Sequence, residues 1–193
     1  MTSERQWVIV RIDGKIAAIS TDYKALAAVA SRLAKEPRPE HSKVIAETVS
    51  FEQVWELRNS ARWEDFILFG TEFQKKVWRK LYDLTHSSEE TGGSGSKLLS
   101  YSDFAELCEN RAGVRAVAHA VGLNPIVVLI PCHLIVPKES IDRIRDIQKK
   151  AETTIFKGDD LCLDKVLRDP ATDFGEYALG RRLKRELILK ELL

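Results

Sequence analysis

The spacing of apolar and polar positions changes several times along the chain, and each change marks an element. Trp7-Val8-Ile9-Val10-Arg11-Ile12 and Lys15-Ile16-Ala17-Ala18-Ile19 are β-branched apolar runs separated by Asp13-Gly14, so they predict a β-hairpin on a tight turn. From Tyr23 to Leu33, Leu26, Val29, Ala30 and Leu33 recur at helical spacing. Pro37 and Pro39 make Glu36 to His41 a loop, Val44 to Phe51 predicts a further strand, and Val54 to Leu57 a short helix. Together these form a small α/β unit over residues 1–67.

Beyond Leu68-Phe69-Gly70 the period is helical. Thr71 is placed to cap a helix whose Phe73, Val77, Trp78 and Leu81 share one face as core, with Glu72 adding negative charge to the first turn. Thr85 to Lys97, rich in Ser, Gly and Glu, predicts a mobile low-complexity segment. Ser100 caps a short helix at Tyr101 to Leu107, and after Glu109-Asn110 a second runs from Ala112 to Val121. Two short helices on a tight turn suggest a helix-turn-helix, whose second helix normally enters a groove of DNA.

The next stretch, Asn124-Pro125-Ile126-Val127-Val128-Leu129-Ile130-Pro131-Cys132-His133, is an unbroken apolar run ended by proline. It predicts a buried strand or extended segment that delivers Cys132, with His133 beside it, to the floor of a pocket. Between Val136 and Thr172, Ile141, Ile144 and Ile147 repeat at helical spacing, and Leu161, Leu163, Val166 and Leu167 form another apolar set. One or two further helices are expected there.

Composition narrows the picture. In 193 residues, 44% hydrophobic content suffices for a core, as one domain or as a small domain beside a larger one. Thirty basic against 29 acidic residues leave a net charge of +1, so any contact with a nucleic-acid backbone must be local. Arg181, Arg182, Lys184 and Arg185 form a basic cluster that reads equally well as a solvated helix face. Met1 to Trp7 lacks the apolar core of a signal peptide, and no run approaches the ~20 apolar residues that span a bilayer, so a cytosolic protein without membrane partners is expected. Cys108, Cys132 and Cys162 have no CxxC spacing or nearby histidine pair, so neither disulfides nor a metal site are expected. Cys108, Cys162, His41, His86 and His119, the histidines lying in loops or on a helix surface, are given no role.

A thiol attacks only as its thiolate, and a neighbouring histidine is the usual base. The Cys-His pair alone fits a buried structural cysteine better than a nucleophile. The surrounding motifs decide between them. Asn124-Pro125, the apolar run and Pro131-Cys132-His133 resemble the active-site signature of the methylated-DNA-protein cysteine methyltransferases, the O-6-alkylguanine-DNA alkyltransferases. Gly70-Thr71-Glu72-Phe73-Gln74, Val77-Trp78, Leu81, Ser100-Tyr101, Ala105, Arg115-Ala116-Val117, Gly175, Tyr177, Gly180, Lys184 and Glu191 follow in the family's order.

That resemblance implies an α+β fold: an N-terminal α/β supporting domain, then at residues 68–193 a mostly helical alkyltransferase domain containing the helix-turn-helix, with insertions at about 85–98 and 137–172. It implies DNA repair without cofactor or metal. Tyr101 and Arg115, with Ala116, would act on duplex DNA containing alkylated guanine, Tyr101 turning the nucleotide and Arg115 filling the gap in the stack. Cys132 would take the alkyl group, His133 its proton through a water, and Glu191 would orient the imidazole. Asn124 would hold the turn before the nucleophile, and Pro131, Tyr177, Ala178 and Leu179 would line the pocket. The protein would act once, as a monomer, in the cytoplasm or nucleus. The chain departs from the family at Leu134, where arginine is usual, at Ala178-Leu179 for Ser-Gly, at Glu109-Asn110-Arg111 for Gly-Asn-Pro, and in the 137–172 insertion. Two other readings are a relative that recognises the alkylated base without repairing it, and a structural or regulatory relative with an occluded pocket.

Overall fold

A computed structural model describes residues 5–21, 27, 30, 31, 42–86, 98–153 and 167–192. Apart from residues 27, 30 and 31, the helix expected over Tyr23 to Leu33 lies outside these residues. So do the loop at Glu36 to His41, the low-complexity stretch beyond His86, Cys162, and Leu161, Leu163 and Val166. The chain divides into two compact units, one of Met1–Ser87 with His119–Cys132, the other of Ser88–Ala118 with His133–Leu193.

In the first unit, β1 (Trp7–Ile12), β2 (Lys15–Ser20) and β3 (Val44–Val49) form an antiparallel sheet in the order β2-β1-β3. The hairpin turn takes Asp13 and Gly14 to φ of 49° and 83°, the left-handed region for which Asp-Gly is suited. β1 and β2 are buried along nearly their whole length, which is why their sequence reads as continuous apolar runs rather than an alternation. Val10, Ile12, Ala17 and Ala18 make one core cluster, flanked by Ile67 and Phe69.

Helix α1 (Phe51–Ser60) is longer than the apolar pattern around Val54 predicted, because Ser50 and Gln53 close a capping box that starts it early. Helix α2 (Glu72–His86) begins the same way: Thr71 Oγ1 accepts from Gln74 N–H at 3.2 Å and Gln74 Oε1 from Thr71 N–H at 3.0 Å. Its Val77, Trp78, Leu81 and Tyr82 are buried. Phe73 is 37% exposed, correcting its assignment to the core. The chain entering α2 at Gly70 lies so close to Trp78 that a Cβ there would sit 2.7 Å from the ring. His86 is not a free surface group. It ends α2 stacked on Tyr82 at 3.9 Å, its Nε2 3.0 Å from the Arg58 carbonyl.

In the second unit, β4 (Leu99–Ser100) pairs in parallel with β5 (Ile135–Val136). Ser100 caps α3 (Tyr101–Leu107), accepting from Asp103 N–H at 3.1 Å. The turn after it passes through Glu109 at φ 56° into a 3-10 turn, Arg111–Gly113, and then α4 (Val114–Gly122), of which residues up to Ala118 belong to this unit and the rest to the first. Helix α5 (Lys138–Thr153) and helix α6 (Arg181–Leu192) follow. The core here is Leu98, Leu134, Val136, Ile141, Ile144, Leu167, Phe174 and Ile188. Among the described residues no helix is long and apolar enough to cross a membrane.

Candidate active site

The apolar run before Cys132 folds as a buried turn, not as the strand or extended segment its composition suggests. Ile130 N–H donates to the Ile126 carbonyl at 3.0 Å, and Val128 at the apex has φ 75°. A β-branched residue in that region is strained by ~1–3 kcal/mol, and the surrounding structure must hold it there. Asn124 does much of the holding. Its Oδ1 accepts Ile126 N–H at 3.0 Å, while its Nδ2 donates to the Ile130 carbonyl at 2.8 Å and to Cys132 Sγ at 3.1 Å. The bond from Ile126 N–H fixes which end of the amide faces the sulfur. Ile126 to Ile130 and Pro131 are buried, and Cys132 is 4% exposed. The unit is tied to the hairpin through Ile19 N–H, which donates to the Pro125 carbonyl at 2.9 Å.

Cys132 ends the first unit and His133 opens the second, the two sharing one 3-10 turn, Cys132–Leu134. Within the second unit His133 Nε2 lies 3.1 Å from Glu191 Oε1, both side chains almost wholly buried. A carboxylate can only accept, so the imidazole donates through Nε2–H. Such a partner fixes the tautomer and stabilises the ring when it takes a proton.

Lys184 corrects the solvated reading of the basic cluster. It is 1% exposed and donates to the carbonyls of Ile135 at 2.7 Å and Glu176 at 3.3 Å, its Nζ 5.8 Å from the centre of the Tyr101 ring. Arg185 donates to the carbonyls of Leu167, Asp169 and Thr172. Only Arg181 and Arg182 face outward, paired with Glu176 and Glu186. Helical spacing held the signal: Lys184, Ile188 and Glu191 fall on one stripe of α6.

The segment from Gly175 to Gly180 forms a turn. Gly175, at φ 77°, lies against Pro137, and Gly180 N–H donates to the Tyr177 carbonyl at 2.9 Å. Tyr177 and Leu179 are half-buried and Ala178 is exposed. Tyr101 starts α3, while Arg115 and Ala116 lie exposed in the first turn of α4. Of the expected residues, the structure thus brings together Asn124, Pro131 and Cys132 around one turn, His133 with Glu191, and Tyr101 with Lys184. No cluster of three or more potential metal ligands occurs among the described residues.

Residues 72–152 match the family model described as 6-O-methylguanine DNA methyltransferase, DNA binding domain. A probable methylated-DNA-protein-cysteine methyltransferase of Acanthamoeba polyphaga mimivirus is 40% identical over 76 residues, covering 39% of this chain and 45% of that protein. The inducible methylated-DNA-protein-cysteine methyltransferase of Bacillus subtilis is 36% identical over 69 residues, 36% of this chain and 34% of the other. These matches span less than half the length of either relative. The crystal structure of the O6-methylguanine-DNA methyltransferase of Pyrococcus kodakaraensis shares the fold, with a TM-score of 0.55 over 97% of this chain and 92% of that one at 19% identity. Through the segment that holds Tyr101, Arg115, Asn124 and Cys132, the chain is similar to the methylated-DNA-protein-cysteine methyltransferases over less than half of its own length.

Proposed function

We propose that this protein repairs DNA by moving a methyl or larger alkyl group from O-6 of guanine to its own Cys132. The observation that carries the reading is that both reactive side chains are held by buried polar partners, Cys132 Sγ by Asn124 and the His133 imidazole by Glu191. A donor on the sulfur favours thiolate over thiol. An imidazole bonded to a carboxylate is oriented to accept a proton and stabilised once it has done so.

In the reaction, the Cys132 thiol gives its proton to His133 and the thiolate attacks the alkyl carbon. A sulfur–carbon bond forms as the carbon–oxygen bond breaks, and the electron pair passes to the guanine oxygen. The base regains a proton to become guanine. The thioether is uncharged and has no ready leaving group, so one molecule acts once. Inside a duplex the alkylated oxygen is shielded by the base stack, and the nucleotide must be turned out at a cost of a few kcal/mol, least for a damaged base. Tyr101 and Arg115, at the starts of the two helices of the helix-turn-helix, are the groups proposed to push and replace it, with Ala116 against the groove. Pro131, Tyr177, Ala178 and Leu179 are proposed to border the alkyl group. The partner is duplex DNA carrying alkylated guanine, met by a monomer.

The test is incubation with O-6-methylguanine duplex followed by intact mass. A gain of one methyl per chain, lost in Cys132→Ala, supports repair. Duplex binding without a mass change would replace it with lesion recognition alone, and neither outcome would point to a structural relative.

A further inference from the structure

We propose that a segment made of helix α5 (Lys138–Thr153) together with residues 167–174 positions the His133–Glu191 pair, with Ile144 and Arg185 as positioning residues; this rests on the reading of that pair given above. Leu134, next to His133, and Ile188, one turn before Glu191 on α6, lie in the same apolar cluster, and Leu189 and Leu192 on either side of Glu191 pack against it. The rest of the wall around Leu134 and Ile188 comes largely from the segment itself, as Ile141, Ile144, Leu167 and Phe174. Each half of the pair is therefore carried on an element seated against these side chains.

Polar contacts fix the segment in turn. Ser140 Oγ donates to the Asp173 carbonyl and Arg143 pairs with Asp169, joining α5 to the returning chain. Arg185, on α6 two turns before Glu191, donates to the carbonyls of Leu167, Asp169 and Thr172 at 2.7, 2.8 and 2.6 Å. Its guanidinium lies 4.9 Å from the centre of the Phe174 ring. The same helix thus carries Glu191 and grips the segment. A bond of 3.1 Å between buried side chains of two elements keeps its geometry only while those elements hold their places to within about 0.5 Å.

Leu134 fits this arrangement. An arginine there would put a charge into the apolar cluster, whereas leucine gives α5 a surface to seat on. The side chain that follows His133 in sequence is thereby part of the core.

The test uses the full chain with Ile144→Ala, Ile144→Leu and Arg185→Gln, and Val54→Ala as a core truncation in the other unit. Solvent exchange of the His133 ring N–H, assigned by its loss in His133→Asn, is followed by NMR, and single-turnover methyl transfer is timed alongside. Ile144→Ala and Arg185→Gln are expected to speed that exchange by about tenfold. They are also expected to slow transfer by about tenfold, leaving duplex affinity unchanged. Ile144→Leu restores both signals, and Val54→Ala lowers the melting temperature without moving the ring proton. Lowered melting temperatures in Ile144→Ala and Arg185→Gln with an unmoved ring proton would overturn the proposal. If Ile144→Ala fails to fold, Arg185→Gln decides in the same way. Should the wild type transfer no methyl group, the repair reading falls and the ring proton still decides whether the segment positions the pair.

Discussion

Asn124 donates its side-chain N–H to the sulfur of Cys132 at 3.1 Å while bracketing the turn that carries it. Replacing the donor by an acceptor reverses the sign of that contact. Asn124→Asp is expected to slow alkylation of Cys132 by iodoacetamide at neutral pH by about tenfold, the equivalent of one unit in thiol acidity. Asn124→Ala also leaves Ile126 N–H without its partner, which costs ~1–3 kcal/mol, read by urea unfolding, while the Ile130 carbonyl keeps the Cys132 N–H.

Glu191→Gln keeps the size of the side chain and removes its charge from the buried pair. Methyl transfer is expected to fall by about a hundredfold, the scale of a lost general-base contribution, with duplex affinity unchanged. Single-turnover kinetics with a labelled methyl group measure the first quantity and fluorescence anisotropy the second.

Much of this was legible in the chain. The Asp13-Gly14 hairpin, the Thr71 and Ser100 caps and the paired short helices depend on local residues, and local signals found them. The stretch before Cys132 misled because an apolar β-branched run is equally compatible with any fully buried backbone, and this one is turned back on itself by backbone bonds and by the side chain of Asn124. Lys184 and Arg185 misled for the opposite reason. Their charge suggests solvent, but long stems let each head reach carbonyls of segments distant in sequence. Phe73 has the spacing of the core face and is nevertheless exposed, since spacing alone does not say how far around the helix the core reaches.

Lys184 joins Ile135, just after the candidate site, to the turn at Glu176. Lys184→Met preserves length and apolar contact but leaves the Ile135 carbonyl unbonded, so a loss of ~1–3 kcal/mol is expected in urea unfolding. Lys184→Ala should cost more, since it also opens a cavity.

Gly70→Ala would bring a methyl group to 2.7 Å from Trp78 and from the Gln74 side chain that closes the cap of α2. The expected loss is ~1–3 kcal/mol by thermal unfolding, with the Trp78 fluorescence altered in the folded state.

Arg181 holds the Glu176 carboxyl below its ordinary range, first through a direct hydrogen bond and then through charge. A carboxyl with its acidity raised by folding contributes stability above its unfolded value and loses it as pH falls through the folded one. Glu176→Gln should therefore melt slightly below the wild type at neutral pH. The two should converge on acidification through and below the ordinary carboxylate range. The gap is small because both partners stand in solvent.

The seat of α5 against Leu134 and Ile188 also limits how the protein can be trimmed. Excising residues 138–171 to join Pro137 directly to Thr172 would uncover a greasy floor of Leu134, Val136 and Ile188. The shortened chain would clump before it could be assayed, and any minimal version of this protein has to keep the helix or repaint the surface beneath it.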